Sequence, residues 1–352
     1  MTMDKYPKVI YLMLGQACNL NCLYCFEGEK CTKSMGQPSE KLYTYLNKLA
    51  ANCPKDKQPT IIFWGGEPLL YLPIIKDVVG RVKNTKFCII TNGSLLTQDI
   101  VDWVNANPIR LNVSWDGKKS SITRGYDVVE EKKNLLLQVE NLGLLGVLSA
   151  INAPLSNLLN DFQEFDDEYR KHHEWHIDTH ISEIKPMVDM PKELLDFNYT
   201  AIADDVAKTI DNIWTGKSKS FIQYYYFNNF FHNLAKNKKG CYRRGQCGIG
   251  FSARAIDLQG NLYLCHTLDN PAGHIDDYDK FIKKILWDNE AYKNINTCKQ
   301  CEVERLCRGG CKLIDKTVRE NGYCELRKAL YTPIINFYDQ ILKGDINYGY
   351  NN

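Results

Sequence analysis

Apolar residues in the first half of the chain follow two different spacings, which predict two kinds of element. Short apolar or alternating runs predict strands, and stretches with apolar residues every three to four positions predict amphipathic helices. The predicted strands cover residues 8–14, 60–66, 86–92, 109–115, 145–152 and 174–184. The predicted helices cover residues 38–52, 71–83, 97–106, 126–142 and 155–171. Strands that alternate with helices in this way indicate an α/β fold with a parallel sheet.

Two of the predicted strands carry polar side chains on one face. In the fourth strand these are Asn112, Ser114 and Asp116, and in the sixth they are Glu174, His176, Asp178 and His180. A polar face on a buried strand is strongly unfavourable unless a ligand or water satisfies it. We therefore expect His176, Asp178 and His180 to line a ligand-filled lumen, with an exposed edge strand as the alternative interpretation.

Charge and hydropathy narrow the range of partners. The chain has 352 residues, with 44 Lys and Arg against 42 Asp and Glu and a formal net charge of +2. This balance gives no electrostatic reason to expect nucleic acid or an anionic membrane as the main partner. No apolar run approaches the roughly 20 residues that span a bilayer, and the N-terminal apolar run is too short for a signal peptide. We therefore expect a cytoplasmic protein that is long enough for two domains.

Cysteine is the unusual residue, with 14 copies placed unevenly along the chain. Disulfide scaffolds are typical of short secreted chains, so clustered thiols in a reducing compartment indicate zinc or iron–sulfur ligands. The cysteine triplet Cys18, Cys22 and Cys25 can hold three corners of a four-iron cluster and would leave one iron open for a small molecule. A half zinc site and a redox pair remain alternatives at this point. Three further cysteines match no motif: Cys31, Cys53 and Cys88.

The cysteine triplet, the aromatic residue after it and a glycine-rich strand end together resemble radical S-adenosylmethionine (SAM) enzymes. The segments are Cys18–Phe26 and Gly65-Gly66-Glu67-Pro68, with Thr91-Asn92-Gly93 and Ser114-Trp115-Asp116-Gly117 at later strand ends. The resemblance implies that SAM chelates the open iron and that the Gly-Gly-Glu segment contacts its amino group. We expect the glycines to let the backbone approach the ligand and the Glu67 carboxylate to accept from the ammonium group. The SAM-binding residues implied in this way are Gly65, Gly66, Glu67, Asn92, Ser114 and Asp116.

Eight further cysteines lie between residues 241 and 324 and resemble the full SPASM domain, an auxiliary iron–sulfur module of peptide-modifying radical SAM enzymes. The resemblance implies interleaved ligation of two auxiliary clusters, and so three 4Fe–4S clusters in total besides SAM. Cys241, Cys247, Cys265 and Cys311 would hold the first auxiliary cluster, and Cys298, Cys301, Cys307 and Cys324 the second. Two four-cysteine zinc ribbons are the alternative.

The resemblance also implies the architecture, which is a partial (β/α)6 TIM-like barrel followed by a small cysteine-rich SPASM domain. In barrels, chemistry collects at the carboxyl ends of the strands, where the cysteine triplet and the Gly-Gly-Glu segment are expected. The predicted divisions are the barrel at 1–192, a helical bridge at 193–239, the SPASM domain at 240–335 and a polar tail at 336–352. The bridge is predicted to form two helices, the second rich in aromatic residues.

The function implied by the resemblance is radical chemistry on a peptide or protein. One electron from an external reductant of the flavodoxin or ferredoxin type splits SAM, and the 5′-deoxyadenosyl radical removes a hydrogen atom from a side chain. Anaerobic sulfatase maturases are similar but place a catalytic Asp after the cysteine that matches Cys265, where this chain has His266. The leading hypothesis is therefore a maturase of ribosomally made peptides that forms a thioether or carbon–carbon cross-link, with His266 as the base.

Two other functions remain open. A sulfatase-maturase-like enzyme would oxidise Cys or Ser to formylglycine, and a non-catalytic iron–sulfur or zinc module would only bind metal or transfer electrons. Because few residues precede the first predicted strand, we expect no leader-binding domain. A separate leader-binding protein or the aromatic helix would then recognise a leader peptide.

Overall fold

The computed structural model gives backbone and side-chain positions for most of the chain. It describes residues 7–25, 36–186, 190–236, 252–267, 270–277, 298, 300–311, 313–314 and 316–344. Four residues named in the sequence analysis lie outside the described residues: Phe26, Cys31, Cys241 and Cys247.

The described strands form a mixed sheet. They are β1 (Val9–Met13), β2 (Thr60–Trp64), β3 (Lys86–Thr91), β4 (Ile109–Ser114), β5 (Leu142–Leu148), β6 (Asp178–Glu183), β7 (Ala253–Asp257), β8 (Asn261–Tyr263) and β9 (Gly273–His274). Their order is β6-β5-β4-β3-β2-β1-β7-β8-β9. The pairs from β1 to β4 and the pair of β1 with β7 are parallel, whereas β8 and β9 are antiparallel additions. This arrangement confirms the α/β class and is consistent with a partial TIM-like barrel.

The strand β7 extends the parallel sheet beyond the six predicted strands. Val9 of β1 pairs with Thr60 of β2 on one side and with Ala253 of β7 on the other. The apolar pattern does not predict β7, because Arg254 and Asp257 interrupt it. Both polar residues are nevertheless buried, at 6% and 4% exposure. The carboxyl-terminal part of the sequence therefore contributes a strand to the barrel sheet.

The described helices follow the strands in alternation through the first half of the chain. They are α1 (Glu40–Ala51), α2 (Leu72–Arg81), α3 (Gln98–Asn105), α4 (Ser120–Thr123), α5 (Val128–Leu136), α6 (Leu155–Tyr169), α7 (Tyr199–Trp214), α8 (Phe221–Lys236), α9 (Glu304–Cys307), α10 (Lys316–Val318) and α11 (Cys324–Lys343). Short 3-10 turns lie at Lys55–Lys57, Pro68–Tyr71, Gly117–Lys119, Lys192–Leu194 and Ile275–Asp277, and a π-helical turn spans Arg319–Tyr323. Side chains of Ser39, Thr97 and Asn198 accept from the first turns of α1, α3 and α7, which fixes where these helices begin.

Most of the predicted elements are confirmed, with three differences. The strand β5 begins earlier than predicted, so that α5 ends at Leu136 instead of continuing to 142. The strand β6 begins later than predicted, at Asp178. Just before this strand, the His176 side chain and the Ile177 N–H are hydrogen-bonded to Asp166 of a neighbouring helix.

Alternate residues of β1 and β2 bury one face of the sheet. Leu12, Ile61 and Phe63 are completely buried, whereas Tyr11 and Trp64 on the opposite face are half-buried. The period of two thus places two aromatic rings on the more accessible face, close to the carboxyl ends of the strands.

The chain divides into two compact units that are interleaved along the sequence. The first unit comprises Met1–Trp115, Arg124–Leu144 and Cys247–Ala291, and the second comprises Asp116–Thr123, Leu145–Gln246 and Tyr292–Asn352. The predicted divisions at 192, 239 and 335 stay predictions, and the last of these falls inside α11. Among the helices that the structure describes, none combines the length and the apolar composition of a membrane span.

Candidate functional site

The segment that leads into the cysteine triplet begins after β1 and is hydrogen-bonded to the segment after β2, both in the first unit. Gly66 N–H donates to the Gly15 carbonyl at 3.0 Å, and Glu67 N–H donates to the Ala17 carbonyl at 2.8 Å. Ala17 N–H in turn donates to the Tyr71 hydroxyl at 3.1 Å. The carboxyl ends of two parallel strands therefore hold the loop that carries the triplet, as expected for a barrel.

Two glycines are required where this loop crosses the end of β2. A Cβ atom on Gly65 would lie 2.3 Å from the Gly15 carbonyl oxygen, and one on Gly66 would lie 2.3 Å from the Ala17 carbonyl oxygen. Both contacts involve backbone atoms, which cannot rotate away as a side chain does. Gly65 and Gly66 therefore seat the cysteine loop, which is a different reason for glycine from the predicted approach to a ligand.

Replacement of Gly66 by alanine is expected to displace the cysteine loop, because the methyl group has no space beside the Gln16 and Ala17 carbonyl oxygens. Overpacking of this kind lowers the free energy of unfolding by about 1–3 kcal/mol. We expect a lower urea midpoint and a lower iron content after anaerobic reconstitution.

The matched control is Gly80→Ala in α2, where a Cβ atom meets nothing within 4 Å. In a helix this change should raise the free energy of unfolding by about 0.5–1 kcal/mol. Equal urea midpoints for the Gly66 and Gly80 variants would contradict the seating role of Gly66.

The Glu67 carboxylate is completely buried and accepts three hydrogen bonds from the protein. Its Oε1 accepts from the Thr91 hydroxyl at 2.6 Å and from Leu69 N–H at 2.9 Å, and its Oε2 accepts from Asn92 N–H at 2.7 Å. Burial raises the pKa of Glu67, against the lowering effect of these three hydrogen bonds. The side chain thus joins the ends of β2 and β3. The predicted contact of its carboxylate with the SAM ammonium group stays a prediction.

Asn92, directly after β3, links the buried carboxylate to the cysteine loop. Its Nδ2 donates to Asn19 Oδ1 at 3.0 Å and lies 4.0 Å from Cys18 Sγ. Asn19 Nδ2 donates to the Ser94 hydroxyl at 2.8 Å, and Leu20 N–H donates to Cys18 Sγ at 3.5 Å. Donors of this kind orient the side chains that ligate a metal, so Asn92 is well placed to order the triplet.

The two remaining predicted SAM-binding residues lie in different surroundings. Ser114 is the half-buried last residue of β4, in the first unit. Asp116 belongs to the second unit and is completely buried. Its Oδ1 accepts from Val147 N–H at 2.9 Å and its Oδ2 from the Thr123 hydroxyl at 2.7 Å. The buried carboxylate thus accepts from the protein at both oxygens, and the predicted ligand contact of Asp116 stays a prediction.

His266 lies against two aromatic rings on the more accessible face of the sheet. Its ring stacks on Tyr11 with the centroids 4.4 Å apart and meets Trp64 edge-on at 4.2 Å. Trp64 is the last residue of β2 and directly precedes Gly65. The predicted base therefore lies in the first unit, next to the strand end that carries the Gly-Gly-Glu segment.

The first predicted auxiliary set is divided between the two units. Cys265 belongs to the first unit and Cys311 to the second, and both are half-buried. Cys265 Sγ lies 3.2 Å from the Thr267 hydroxyl oxygen. Cys241 and Cys247 lie outside the described residues, and the ligation of this cluster stays a prediction.

The second predicted auxiliary set lines one cavity in the second unit, which we call the four-cysteine cavity. Its volume is about 440 Å³, and its walls include Cys298, Cys301, Cys307 and Cys324. Within the described residues, no three metal-ligating side chains converge on a single point; these thiols instead surround the cavity. The volume is far larger than the roughly 30 Å³ of one water molecule, so a multi-atom cluster has room between them.

Two thiols of the four-cysteine cavity, those of Cys307 and Cys324, have a raised pKa and need a positive partner to ionise. Burial is the largest cause that raises the pKa of Cys307 to about 12, followed by the other three cysteines of the cavity. Burial also raises the pKa of Cys324, while Arg319 lowers it. A bound metal supplies the charge that deprotonates such thiols. The donor set therefore fits a metal cluster.

The candidates on the sixth strand do not form one polar face. His176 precedes β6, its Nδ1 lies 2.6 Å from Asp166 Oδ2 of α6, and its ring stacks on Phe221 of α8 at 3.6 Å. The His176 side chain therefore contacts two helices, and its predicted role in lining a lumen stays a prediction. Asp178 is half-buried and His180 is exposed. The strand β6 is an edge strand of the described sheet, whereas burial lowers the pKa of His180. The predicted lumen contacts of Asp178 and His180 therefore stay predictions.

Sequence reasoning missed the buried arginines at these sites, Arg124 and Arg327 among them. Arg124 is 8% exposed, and its guanidinium carbon lies 5.4 Å from the ring centre of Tyr24, within the triplet. Arg327 is 1% exposed and donates to the Cys307 carbonyl at 3.1 Å. Buried arginines are rare unless paired, but neither lies in a recognised motif. The one available signal was the spacing of three between Cys324 and Arg327, which places both on one side of a helix.

Comparison with known proteins agrees with this geometry. Residues 12–124 match the family model of the radical SAM superfamily, a segment that includes the triplet and the Gly-Gly-Glu segment. Residues 12–124 therefore form a radical SAM domain. The chain is a radical SAM enzyme, and this class of domain implies a 4Fe–4S cluster and SAM as cofactors.

Two relatives resemble the chain over most of its length. It is 26% identical to the radical SAM cyclopropyl synthase TigE of Paramaledivibacter caminithermalis, over 97% of this chain and 76% of that protein. It is 24% identical to a cysteine-type anaerobic sulfatase-maturating enzyme of Clostridium novyi, over 93% of this chain and 94% of that protein.

Two solved structures share the fold. Native anSMEcpe with bound AdoMet and Cp18Cys peptide superposes with a TM-score of 0.64 at 18% identity, over 95% of this chain and 100% of that chain. Streptococcus suis SuiB bound to the precursor peptide SuiA gives a TM-score of 0.59 at 14% identity, over 88% of this chain and 72% of that chain.

Proposed function

We propose that the chain is a radical SAM/SPASM maturase that modifies a peptide or protein side chain, with a thioether or carbon–carbon cross-link as the leading product. The observation that carries the proposal is the combination of two cysteine sites in one chain. The triplet is seated beside the Gly-Gly-Glu segment, and four further cysteines line a cavity. Three thiolates leave one iron open, whereas four saturate a cluster and suit it to electron transfer.

In this proposal the triplet holds the cluster that binds SAM, and Asn92 orders its loop through Asn19. When bound, this cluster and SAM supply a 5′-deoxyadenosyl radical that removes a hydrogen atom from the substrate. Glu67 keeps the ends of β2 and β3 together behind the loop. The backbone of Gly65–Glu67 and the side chain of Ser114 are the proposed contacts of SAM.

Both auxiliary clusters belong to the proposal. One would be held by Cys298, Cys301, Cys307 and Cys324, and the other by Cys241, Cys247, Cys265 and Cys311. After the substrate has lost a hydrogen atom, formation of a cross-link releases one more electron and one proton. A fully ligated cluster is suited to take the electron, and His266 is the proposed acceptor of the proton.

The proposed partners follow from this chemistry. A peptide substrate is supported by the names of the two similar structures, in which anSMEcpe and SuiB are bound to peptides. An external reductant of the flavodoxin or ferredoxin type would supply the electron that splits SAM, and a separate leader-binding protein would present the peptide. A cytoplasmic location is part of the proposal, because reduced thiols are required to bind the clusters.

The second candidate function is oxidation of Cys or Ser to formylglycine. It is favoured by the likeness, over 93% of this chain, to an enzyme named as cysteine-type anaerobic sulfatase-maturating. His266 argues against it, because the sulfatase maturases carry an Asp at the position after the cysteine that matches Cys265. We therefore rank formylglycine formation as the second candidate, after cross-link formation.

The test is anaerobic incubation of the reconstituted chain with SAM, a strong reductant and a short peptide encoded beside its gene, followed by mass spectrometry. Loss of two hydrogen atoms from the peptide, with a new link in its fragmentation pattern, is the expected result. An aldehyde formed on a sulfatase-type Cys peptide would instead favour formylglycine formation. If no peptide is altered although 5′-deoxyadenosine accumulates, the assignment of a peptide substrate is wrong.

A further inference from the structure

Arg327 is a buried cation at the wall of the four-cysteine cavity. It lies in the first turn of α11, is 1% exposed and lines the cavity. Its Nη1 donates to the Cys307 carbonyl oxygen at 3.1 Å and to Cys307 Sγ at 3.3 Å. Charge-assisted hydrogen bonds are stronger than neutral ones, so the guanidinium is coupled directly to one of the four sulfur atoms.

Other contacts fix the guanidinium in this position. It forms an ion pair with Glu183, the last residue of β6, and the two side chains are only 2% and 11% exposed. The rings of Tyr323 and Tyr331 have their centres 4.9 Å and 5.5 Å from its central carbon. Because the pair is shielded from solvent, salt screens it little. One side of the guanidinium thus meets a carboxylate and another meets a sulfur.

The backbone turn after Cys307 leaves space for the contact between Arg327 and the Cys307 segment. Gly309 and Gly310 have left-handed backbone conformations, with φ of 79° and 64°. A Cβ atom on Gly310 would lie 2.8 Å from the Tyr323 ring and 3.4 Å from Arg327 Nη1. Glycine at this position therefore lets the ring and the guanidinium reach the Cys307 segment.

Two other cations line the cavity, and their contacts differ from those of Arg327. Arg319 donates to the Cys311 carbonyl at 2.7 Å. Lys328 pairs with Glu325 at 2.9 Å and is 38% exposed, so water screens its charge. Arg327 combines deep burial with a hydrogen bond to a sulfur, and hydrogen bonds to the sulfurs and shielding from solvent are two of the means by which a protein tunes an iron–sulfur cluster.

We propose that Arg327 is a positioning residue that raises the reduction potential of a cluster in the four-cysteine cavity, and that Glu183 attenuates this effect. The inference rests on the proposed ligation of a cluster by these cysteines. Reduction adds one electron to the cluster, and a cationic donor to a ligand sulfur stabilises the reduced form more than the oxidised form. Glu183 balances part of the guanidinium charge. Arg327 thereby makes the cluster a better acceptor for the electron that leaves the substrate.

Arg327→Met tests this role, because methionine removes the charge and the donors but keeps an unbranched side chain. A potentiometric titration of the anaerobically reconstituted full chain, followed by EPR, measures the potential of each cluster. We expect the redox equilibrium of this cluster to shift at least tenfold toward the oxidised form, which is about 59 mV for one electron. Glu183→Gln should shift the potential in the positive direction, because the guanidinium charge is no longer balanced.

The matched control is Arg305→Met in the neighbouring α9. Arg305 pairs with Asp339 at 3.1 Å, and its removal should leave the potential unchanged. Loss of Arg327 alone leaves Glu183 buried without its partner, which impairs folding. The double variant Arg327→Met with Glu183→Gln removes both charges, and it should still show a potential more negative than that of the wild type.

Cys324→Ala separates this inference from the proposed function. If the variant retains all the iron of the wild type, the cavity holds no cluster. Both the proposed ligation and the inference about Arg327 are then wrong. If the variant instead loses about four irons per chain, the cavity holds a cluster. The inference alone is then overturned if the wild-type potential is kept in all three other variants, which are Arg327→Met, Glu183→Gln and the double variant.

Discussion

Replacement of Cys18 by alanine is expected to reduce the formation of 5′-deoxyadenosine from SAM below detection. Two remaining thiolates cannot hold a four-iron cluster that has one open position, so the electron has no route to SAM. The iron content should also fall by about four atoms per chain. The measurement is chromatographic quantification of 5′-deoxyadenosine after anaerobic incubation with SAM and dithionite, together with an iron assay.

Cys53→Ala is the matched control for this experiment. Cys53 is half-buried after α1, and its thiol donates to the Leu49 carbonyl at 3.3 Å. It belongs to no motif, so its loss should leave the iron content and the SAM cleavage at wild-type levels. If Cys18→Ala cleaves SAM at the wild-type rate, the triplet does not hold the cluster that cleaves SAM. The assignment of radical chemistry to this chain would then be wrong.

The first four strands could be predicted because local pattern and burial agree there. In β2, the alternation of Ile61 and Phe63 with less buried residues is the pattern of a strand with one buried face. Ser39 and Thr97 cap α1 and α3 in the structure, and serine and threonine are residue types that favour the start of a helix. Neither signal depends on residues far away along the chain.

The strand β7 could not be predicted because its polar residues are satisfied by the tertiary structure. Asp257 is buried, and its Oδ2 accepts from Asn261 Nδ2 at 2.8 Å and from the Tyr263 hydroxyl at 2.9 Å. These donors belong to β8, which meets Asp257 only once the hairpin has formed. Hydrogen bonds that form in the folded protein offset the cost of burying this carboxylate. In the sequence alone, such an Asp has the pattern of a loop residue.

The residues of the candidate site could be predicted, but the partners of their polar atoms could not. A motif supplies the Glu67 carboxylate, and the sequence does not say whether it faces a ligand or the Thr91 hydroxyl and Asn92 N–H. The same holds for Asp116, which accepts from Val147 N–H. A spacing pattern fixes which side chains gather at a strand end, whereas their orientation depends on donors from other elements.

Replacement of His266 by phenylalanine is expected to leave SAM cleavage intact while product formation falls by about 100- to 10,000-fold, the usual contribution of a general base. Phenylalanine keeps a planar ring against Tyr11 and Trp64 but cannot accept a proton. 5′-Deoxyadenosine should therefore accumulate without the loss of two hydrogen atoms from the peptide. Both products are measured in the same anaerobic reaction, by chromatography and by mass spectrometry.

Two further variants separate proton transfer from packing at this position. Tyr11→Phe removes a hydroxyl group from the same stack and keeps the ring, so it should retain product formation. His266→Asp restores a proton acceptor without an aromatic ring, and partial recovery of product in this variant would support base chemistry. If the phenylalanine variant forms product at the wild-type yield, His266 serves instead to support Trp64 ahead of the Gly-Gly-Glu segment, and the proton must leave through another group.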